Sequence, residues 1–342
     1  MGRIRIYRRT PVKKSTHKVE IVKLDPFKHP NADALLIQKI YGYQVVLRTK
    51  DWEGVTYGAY VLPDSVVDTE RPEFAWLRGT PFRAAIPGND RYHRVTAIRL
   101  RGVLSYGLMV PVPEDAIEGD DVSDLLGVTR YEPVLISDQQ TNPPKGYTKD
   151  YDLEAFERYS NEIFKPGERV ILKEKLNGVN ARYCYRDDRM HVGSKNIWLK
   201  ESDDSSWWRI LKQYPIIQDL CAQQKVTVYG EIIGYPTGLK TLQRYGMEPG
   251  EIDFYIFDML RSTDYLDQEE VVLLADRYQM KVVPTIAIMP FDSVKVAELA
   301  SGPSLLPKAK HKREGIIVRP LKERFELAGR AVLKLVSLEG YK

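Results

Sequence analysis

Five short runs rich in β-branched and aromatic residues occupy positions 18–112, and this pattern leaves few folds open to the first third of the chain. They are KVEIVKL (18–24), LLIQKIYGYQVVLRT (35–49), TYGAYVLP (56–63), VTAIRLRGV (95–103) and YGLMVPV (106–112). Residues of these types suit a pleated, half-buried surface. Between them stand HPNAD, KDWEG and PGND, whose Pro, Gly, Asn and Asp are turn formers. Five short strands joined by such turns predict a small closed or part-open barrel.

The pattern changes after SDQQTNPPKGYTKD (137–150), a polar stretch with a proline pair that reads as a linker. LEAFERYSNEIF (153–164) then predicts a short helix, PGERVILKEKLNG (166–178) a strand ending at a glycine, and WWRILKQYPIIQDLCAQQ (207–224) the clearest amphipathic helix. The chain is thus expected to be α+β: a barrel over 1–125, a linker over 126–150, and a mixed domain over 151–342. With 342 residues, 43% of them hydrophobic, there is enough apolar material for one large core or two moderate ones. A formal net charge of +4 neither demands nor excludes a nucleic-acid partner, because a basic face can sit inside a near-neutral total. Cys184 and Cys221 cannot make a disulfide framework, and neither they nor the five histidines have metal-ligand spacing. The basic N-terminus lacks the apolar run of a signal peptide, and no stretch reaches the ~18 apolar residues of a membrane span. A cytoplasmic protein with no membrane association is expected.

The chemistry gathers around KLNG, Lys175 to Gly178. A lysine at a strand end before a tight turn can hold its amine in a pocket, and burial or a neighbouring cation can make that amine nucleophilic. Alone, K-x-x-G is a weak signal, since a surface lysine at a strand end looks the same. The order of the downstream segments strengthens it: YGEIIG (229–234), FYIFDML (254–260), REGIIVRP (313–320) and AVLKLVS (331–337), each a short apolar strand carrying a charged or aromatic residue. Glu231 and Glu314 are either solvated strand-end carboxylates or ligands of a divalent ion, directly or through its waters. Tyr255 and Phe257 alternate onto one strand face, where either can pack in the core or stack on a purine. Lys334 lies in an apolar strand, where an anionic ligand such as a phosphate would relieve the cost of burying it.

These five segments, in this order, resemble the nucleotidyltransferase motifs shared by DNA ligases, RNA ligases and mRNA capping enzymes. EKLNGVN (174–180) resembles the EKxHGxN signature of the nick-sealing RNA ligases similar to phage T4 RNA ligase 2, and GSKN (193–196) the element after it. HPNADALLIQKI (29–40) and IRLRGVLSYGLMVP (98–111) resemble the OB modules of tRNA-binding domains. An N-terminal OB module before a ligase domain is similar to the Deinococcus radiodurans type of RNA ligase. The resemblance implies ATP as AMP donor, Mg2+ or Mn2+, and a lysyl-AMP on Lys175. In that reading Glu174, Asn177 and Gly178 help bind the nucleotide. Glu231 and Glu314 hold the metal, Phe257 stacks on adenine, and Lys334 meets the α-phosphate. Lys195 takes the pyrophosphate or the 5′-phosphate of a nick, Asn180 orients that 5′-phosphate, and Arg182 joins the nucleic-acid contacts. Lys28, Arg48, Lys50, Arg99 and Arg101 are the barrel's candidates for phosphates. The expected partner is a nicked duplex with an RNA 3′-OH strand, and the chain is expected to act as a monomer without an obligate protein partner.

Two positions depart from the pattern. Asn177 stands where Asp or His is common, and Val336 replaces the second lysine of a K-x-K element, with Arg182 and Arg319 nearby as possible compensation. A DNA ligase or a capping-type guanylyltransferase is the alternative enzyme. Both place an OB domain after the last lysine strand, and here the chain ends eight residues past Lys334. A non-catalytic RNA-binding protein is the alternative of another class.

Overall fold

The computed structural model describes residues 17–80, 84–86, 89–112, 116–131, 140–144, 151, 153–195, 197–237, 243–326 and 329–337. Two compact units divide the chain, Met1–Tyr131 and Glu132–Lys342.

The first unit is built of short antiparallel strands. LLIQKIYGYQVVLRT forms two strands, Leu35–Ile40 and Tyr43–Arg48, paired through a turn at Tyr41 and Gly42. Both turn residues have positive φ, 47° and 77°, the two-residue geometry whose twist matches that of the flanking strands. Glycine adopts it without steric cost at the second position. Tyr57–Val61 runs between Glu20–Lys23 and Leu108–Pro111. Its residues feed two apolar clusters: Ala59 and Val61 pack with Val67, Phe74 and Val110, whereas Tyr60 packs with Val45, Leu47 and Trp52. A strand buried on both faces is what a barrel wall covered on its outside requires. VTAIRLRGV divides into Ile98–Leu100 and the start of Val103–Ser105, a two-stranded hairpin.

The stretch expected as a linker, 126–150, is ordered where it is described. Leu126 and Val128 are buried in the first unit, and Thr129–Arg130 pair with Ser65 and Val66. Gln140–Thr141 pair with Trp198–Leu199 in the second unit. Residues 132–139 and 145–150 lie outside the described residues.

The second unit contains two large sheets. The seven-stranded sheet runs Gln140–Thr141, Trp198–Leu199, Arg189–Gly193, Val179–Arg186, Val226–Gly234, Ile252–Arg261, Asp264–Tyr265. The five-stranded sheet runs Glu154–Ala155, Leu333–Val336, Gly315–Pro320, Arg169–Lys175, Thr285–Pro290. Period-2 alternation gives each sheet one apolar face. Ala181, Tyr183, Val228, Ile232 and Phe254 pack with Ile217 and Leu220 of a helix. Val170, Leu172, Ile316, Val318 and Leu333 pack with Phe156 and Val296 of two others. The residues between them in sequence point the other way, and that side carries the charged residues of the motifs.

Two expectations shift. Residues 153–164 give a helix only from Phe156 to Ile163, because Glu154–Ala155 are drawn into a parallel pairing with Leu333–Lys334. The helix expected over 207–224 is two helices, Ser206–Gln213 and Ile216–Gln224. Pro215 lacks the N–H that continuation needs and disfavours helical backbone at Tyr214, which stands at φ −125°, ψ 70°. Cys184 and Cys221 are free and buried.

Candidate active site

A cavity of about 250 Å3 in the second unit is walled by both sheets. The Arg169–Lys175 strand sends Val170 and Leu172 into the core, so Lys173 and Lys175 emerge on its other face, toward the cavity. Pairing in register sets the partners: Lys175 stands opposite Gly315 and Lys173 opposite Ile317, while Ile317 stands opposite Lys334 on its other side. Glu314 therefore sits just ahead of the neighbouring strand, beside Lys175, and its Oε2 lies 2.6 Å from Lys175 Nζ. Lys175 keeps a quarter of its side chain exposed, whereas Glu314 is buried.

From the other sheet, Asn180 and Glu231 stand opposite each other on adjacent strands, and both line the cavity. Gly178 makes this approach possible: a Cβ there would lie 2.2 Å from the Ile232 carbonyl oxygen and 3.0 Å from Glu231 Cγ. Its N–H donates to the Glu231 carboxylate. Burial pushes the Glu231 carboxyl up to about 8. Lys175 opposes that shift, Glu314 reinforces it, and Gly178 and Lys195 oppose it more weakly. The buried Oδ1 of Asn180 has no hydrogen-bond partner. Among the described residues no cluster of three or more His, Cys, Asp or Glu could hold a metal. A cation here would have Glu231 and Glu314 and would take its remaining ligands from water or substrate, which suits magnesium.

Phe257, Lys195 and Lys334 line the same cavity; Tyr255 does not, and its ring instead has Lys281 Nζ 5.7 Å away. The structure thus separates the two aromatics that the sequence leaves equivalent. Glu174 also lines the cavity and is 1% exposed; its carboxylate accepts from Leu305 N–H at 2.7 Å, which ties the lysine strand to that loop. Asn177 does not line the cavity; its N–H donates to Tyr245 Oη at 2.6 Å and its Oδ1 accepts from Gln243 N at 3.4 Å. Arg182 departs from expectation: it is 2% exposed, lies under the Trp198 ring at 4.2 Å and does not line the cavity, so it offers nothing to a nucleic acid at the surface. Arg319 reaches the cavity wall but is committed to Asp258 at 3.0 Å and to Glu323, so it cannot replace the lysine that Val336 lacks. Asn196 lies outside the described residues.

Sequence reasoning missed Lys173, Tyr151, Leu153, Leu176, Val283 and Ile317 as cavity residues. Lys173 had a signal, the period-2 spacing from Lys175; the apolar residues had none. It also missed a buried cluster behind Phe257. Asp258, fully buried, accepts from Arg330 at 2.7 and 2.9 Å, from Arg319 at 3.0 Å and from Tyr151 Oη at 2.5 Å. Burial alone would raise its carboxyl, but the two arginines outweigh it and hold the group at about 2. Burial pulls the Lys173 ammonium down to about 8, with Arg319 adding to the effect.

Residues 168–336 match the family model for RNA ligases, and residues 16–112 match that of an OB-fold domain. No curated protein matches the chain by sequence. Solved structures of the Naegleria gruberi RNA ligase are similar over almost the whole chain. A lysine-to-alanine mutant with ATP and Mn has 23% identity and a TM-score of 0.70, covering 93% of this chain and 96% of that one. An apo aspartate-to-alanine mutant has 24% identity and a TM-score of 0.71, with 94% and 96% covered. The same ligase with PPi has 23% identity and a TM-score of 0.69, with 94% and 97% covered. At these identities the likeness is one of fold: an OB-fold barrel followed by a mixed, sheet-rich ligase fold. In the second unit, no described helix is long and apolar enough to cross a membrane, and the same holds of the first.

Proposed function

We propose, for a chain that carries an RNA ligase domain behind an OB-fold domain, that it is an ATP-dependent ligase of the nick-sealing type, working through a lysyl-AMP on Lys175. One observation carries this reading. Lys175 Nζ is held 2.6 Å from Glu314 at a cavity that also presents Glu231, Asn180, Lys195, Lys334 and Phe257. A nucleophile, two carboxylates, two further cations and an aromatic wall are what nucleotidyl transfer from ATP requires.

In the first step Lys175 Nζ attacks the α-phosphorus. A P–N bond forms and the P–O bond to pyrophosphate breaks, the leaving group keeping the electron pair. The amine sheds a proton, for which Glu314 is the adjacent base. Lys334 and Lys195 balance charge on the phosphates, and Phe257 stacks on the base. In the second step an oxygen of a 5′-phosphate attacks the same phosphorus, the P–N bond breaks and the amine is restored. Asn180, which lines the cavity, would orient the 5′-phosphate of the incoming strand through its side-chain N–H donors. Finally the 3′-OH attacks the activated 5′-phosphate and AMP leaves. Glu231 and Glu314 would hold Mg2+ or Mn2+ through water, and the ion would neutralise phosphate charge and favour the unprotonated amine. Lys28, Arg48, Lys50, Arg99 and Arg101 are all exposed on the OB unit and suit contacts to the phosphates of the duplex.

Sealing of a nicked duplex tests the substrate. Nicks with an RNA 3′-OH strand should be closed with ATP, and all-DNA nicks should not. Equal closure of all-DNA nicks would make the chain a DNA ligase, and use of GTP alone would make it a capping-type enzyme.

A further inference from the structure

The cavity holds a second lysine that the mechanism above does not use. Lys173 is 2% exposed and lines the cavity two residues back from Lys175, roughly 7 Å along the strand. Its ammonium donates to Thr285 Oγ1 at 3.2 Å, and the carboxylate that acts on it, Asp258, is already held by Arg319 and Arg330. An ammonium buried against one neutral hydroxyl pays heavily in lost hydration unless a ligand supplies acceptors.

The surroundings divide the cavity into two ends. Glu231 feels Lys175, Glu314 and Lys195, the groups assigned to the phosphates. Lys173 instead feels Arg319 and Asp258, which belong to the buried cluster behind Phe257. Ile317, which lines the cavity together with Phe257 and Val283, stands directly opposite Lys173 in register. Apolar walls with few polar groups are the usual form of a pocket for a flat heterocycle; Arg319 also reaches this wall but is committed to Asp258 and Glu323, leaving Lys173 with Thr285 as the polar device there. The device offers donors only: Thr285 accepts from the ammonium and so turns its own proton elsewhere, and the ammonium has two more N–H bonds to give.

We propose that Lys173 is the base-reading residue of the nucleotide pocket, donating to a ring-nitrogen acceptor on the edge of the purine. This rests on the reading of the cavity as a nucleotide site. A donor-only device takes no hydrogen bond from a 6-amino group, so purine riboside triphosphate, which lacks that group, binds about as well as ATP.

The test compares the wild type with Lys173→Met, which keeps the side chain's length and removes a buried charge. ATP binding is measured by calorimetry with magnesium, and covalent labelling by α-labelled ATP in parallel. Lys173→Met should melt no lower than the wild type, weaken ATP binding about tenfold or more, and raise KM for labelling alike while leaving the saturating rate within threefold. Either 1-deaza-ATP or 7-deaza-ATP should suffer the same loss on the wild type and no further loss on the variant. Unchanged ATP binding by Lys173→Met would overturn the proposal, as would a fall in saturating rate with KM unchanged, which would put Lys173 at the phosphates. If the wild type binds ATP and Lys173→Met does not, yet no label forms on either, the ligase reading fails and this assignment stands. Failure of the wild type to bind ATP overturns both.

Discussion

Replacing Asp258 by alanine should cost the second unit far more than a surface charge would. Asp258 is fully buried and receives four donors: two from Arg330, one from Arg319 and the hydroxyl of Tyr151. Alanine strands two guanidiniums, 2% and 8% exposed, with Glu323 as their remaining carboxylate. Breaking a buried pair by removing one partner costs about 3–5 kcal/mol. For a domain of this size each kcal/mol moves Tm by roughly 2–4 °C, so a fall of roughly 6–20 °C is expected. Tryptophan fluorescence in a thermal or urea titration reads it, because Trp198 packs in the same cluster as Tyr151. The pH dependence supplies a second magnitude. A carboxyl lowered from 3.8 to about 2 adds stability that is fully present above pH 3.8 and is lost as pH falls through 2. The difference is worth about 2 kcal/mol, less than the deletion, since protonation removes charge but keeps the hydrogen-bonding shape. A loss below about 1 kcal/mol on Asp258→Ala would refute the claim that this carboxylate holds the arginines in place.

Other variants probe the site and the barrel. Gly178→Ala puts a carbon 2.2 Å from the Ile232 carbonyl, so it should cost about 1–3 kcal/mol in denaturant titration and slow labelling at least tenfold by displacing Glu231. Glu231→Gln should raise Tm by a few degrees at pH 8–9 without ligand, and not at pH 4.5. A half-buried carboxyl such as Glu231, whose pKa is raised on folding, destabilises the fold increasingly as pH climbs from 4.5 through 8, and the amide escapes that cost. Gly42→Ala, at φ 77°, should destabilise the first unit by about 1 kcal/mol, measured on that unit's own transition.

Much of the site was legible because strand chemistry is local. A two-residue period places Lys175 on the face opposite Leu172, and the Gly after it shows where the strand must stop. The carboxylates were legible as residue types at strand ends, but their meeting depends on pairings between strands far apart in sequence. Lys175 meets Glu314 because their strands are neighbours, 139 positions apart in the chain. Phe257 and Tyr255 look alike in sequence, but the pairing with the 226–234 strand shifts register at Phe257, and Tyr255 lies beside Lys281 instead. Asn177 and Arg182 look available in sequence, but one is clamped by Tyr245 and the other is covered by Trp198. The Asp258 cluster was invisible, because an Asp in a buried strand makes sense only with arginines supplied from 61 and 72 residues away. In the barrel the strand positions were readable, but the hairpin at Tyr41 and Gly42 split one long run in two.

The most direct measurement of the central claim is covalent labelling without nucleic acid. The purified chain is incubated with magnesium and α-labelled ATP or GTP, beside Lys175→Ala, and run on a denaturing gel. The predicted result is label from ATP that survives denaturation and is absent from the variant, while both proteins melt alike. Label that persists in Lys175→Ala, or no label from either nucleotide on folded protein, would contradict it.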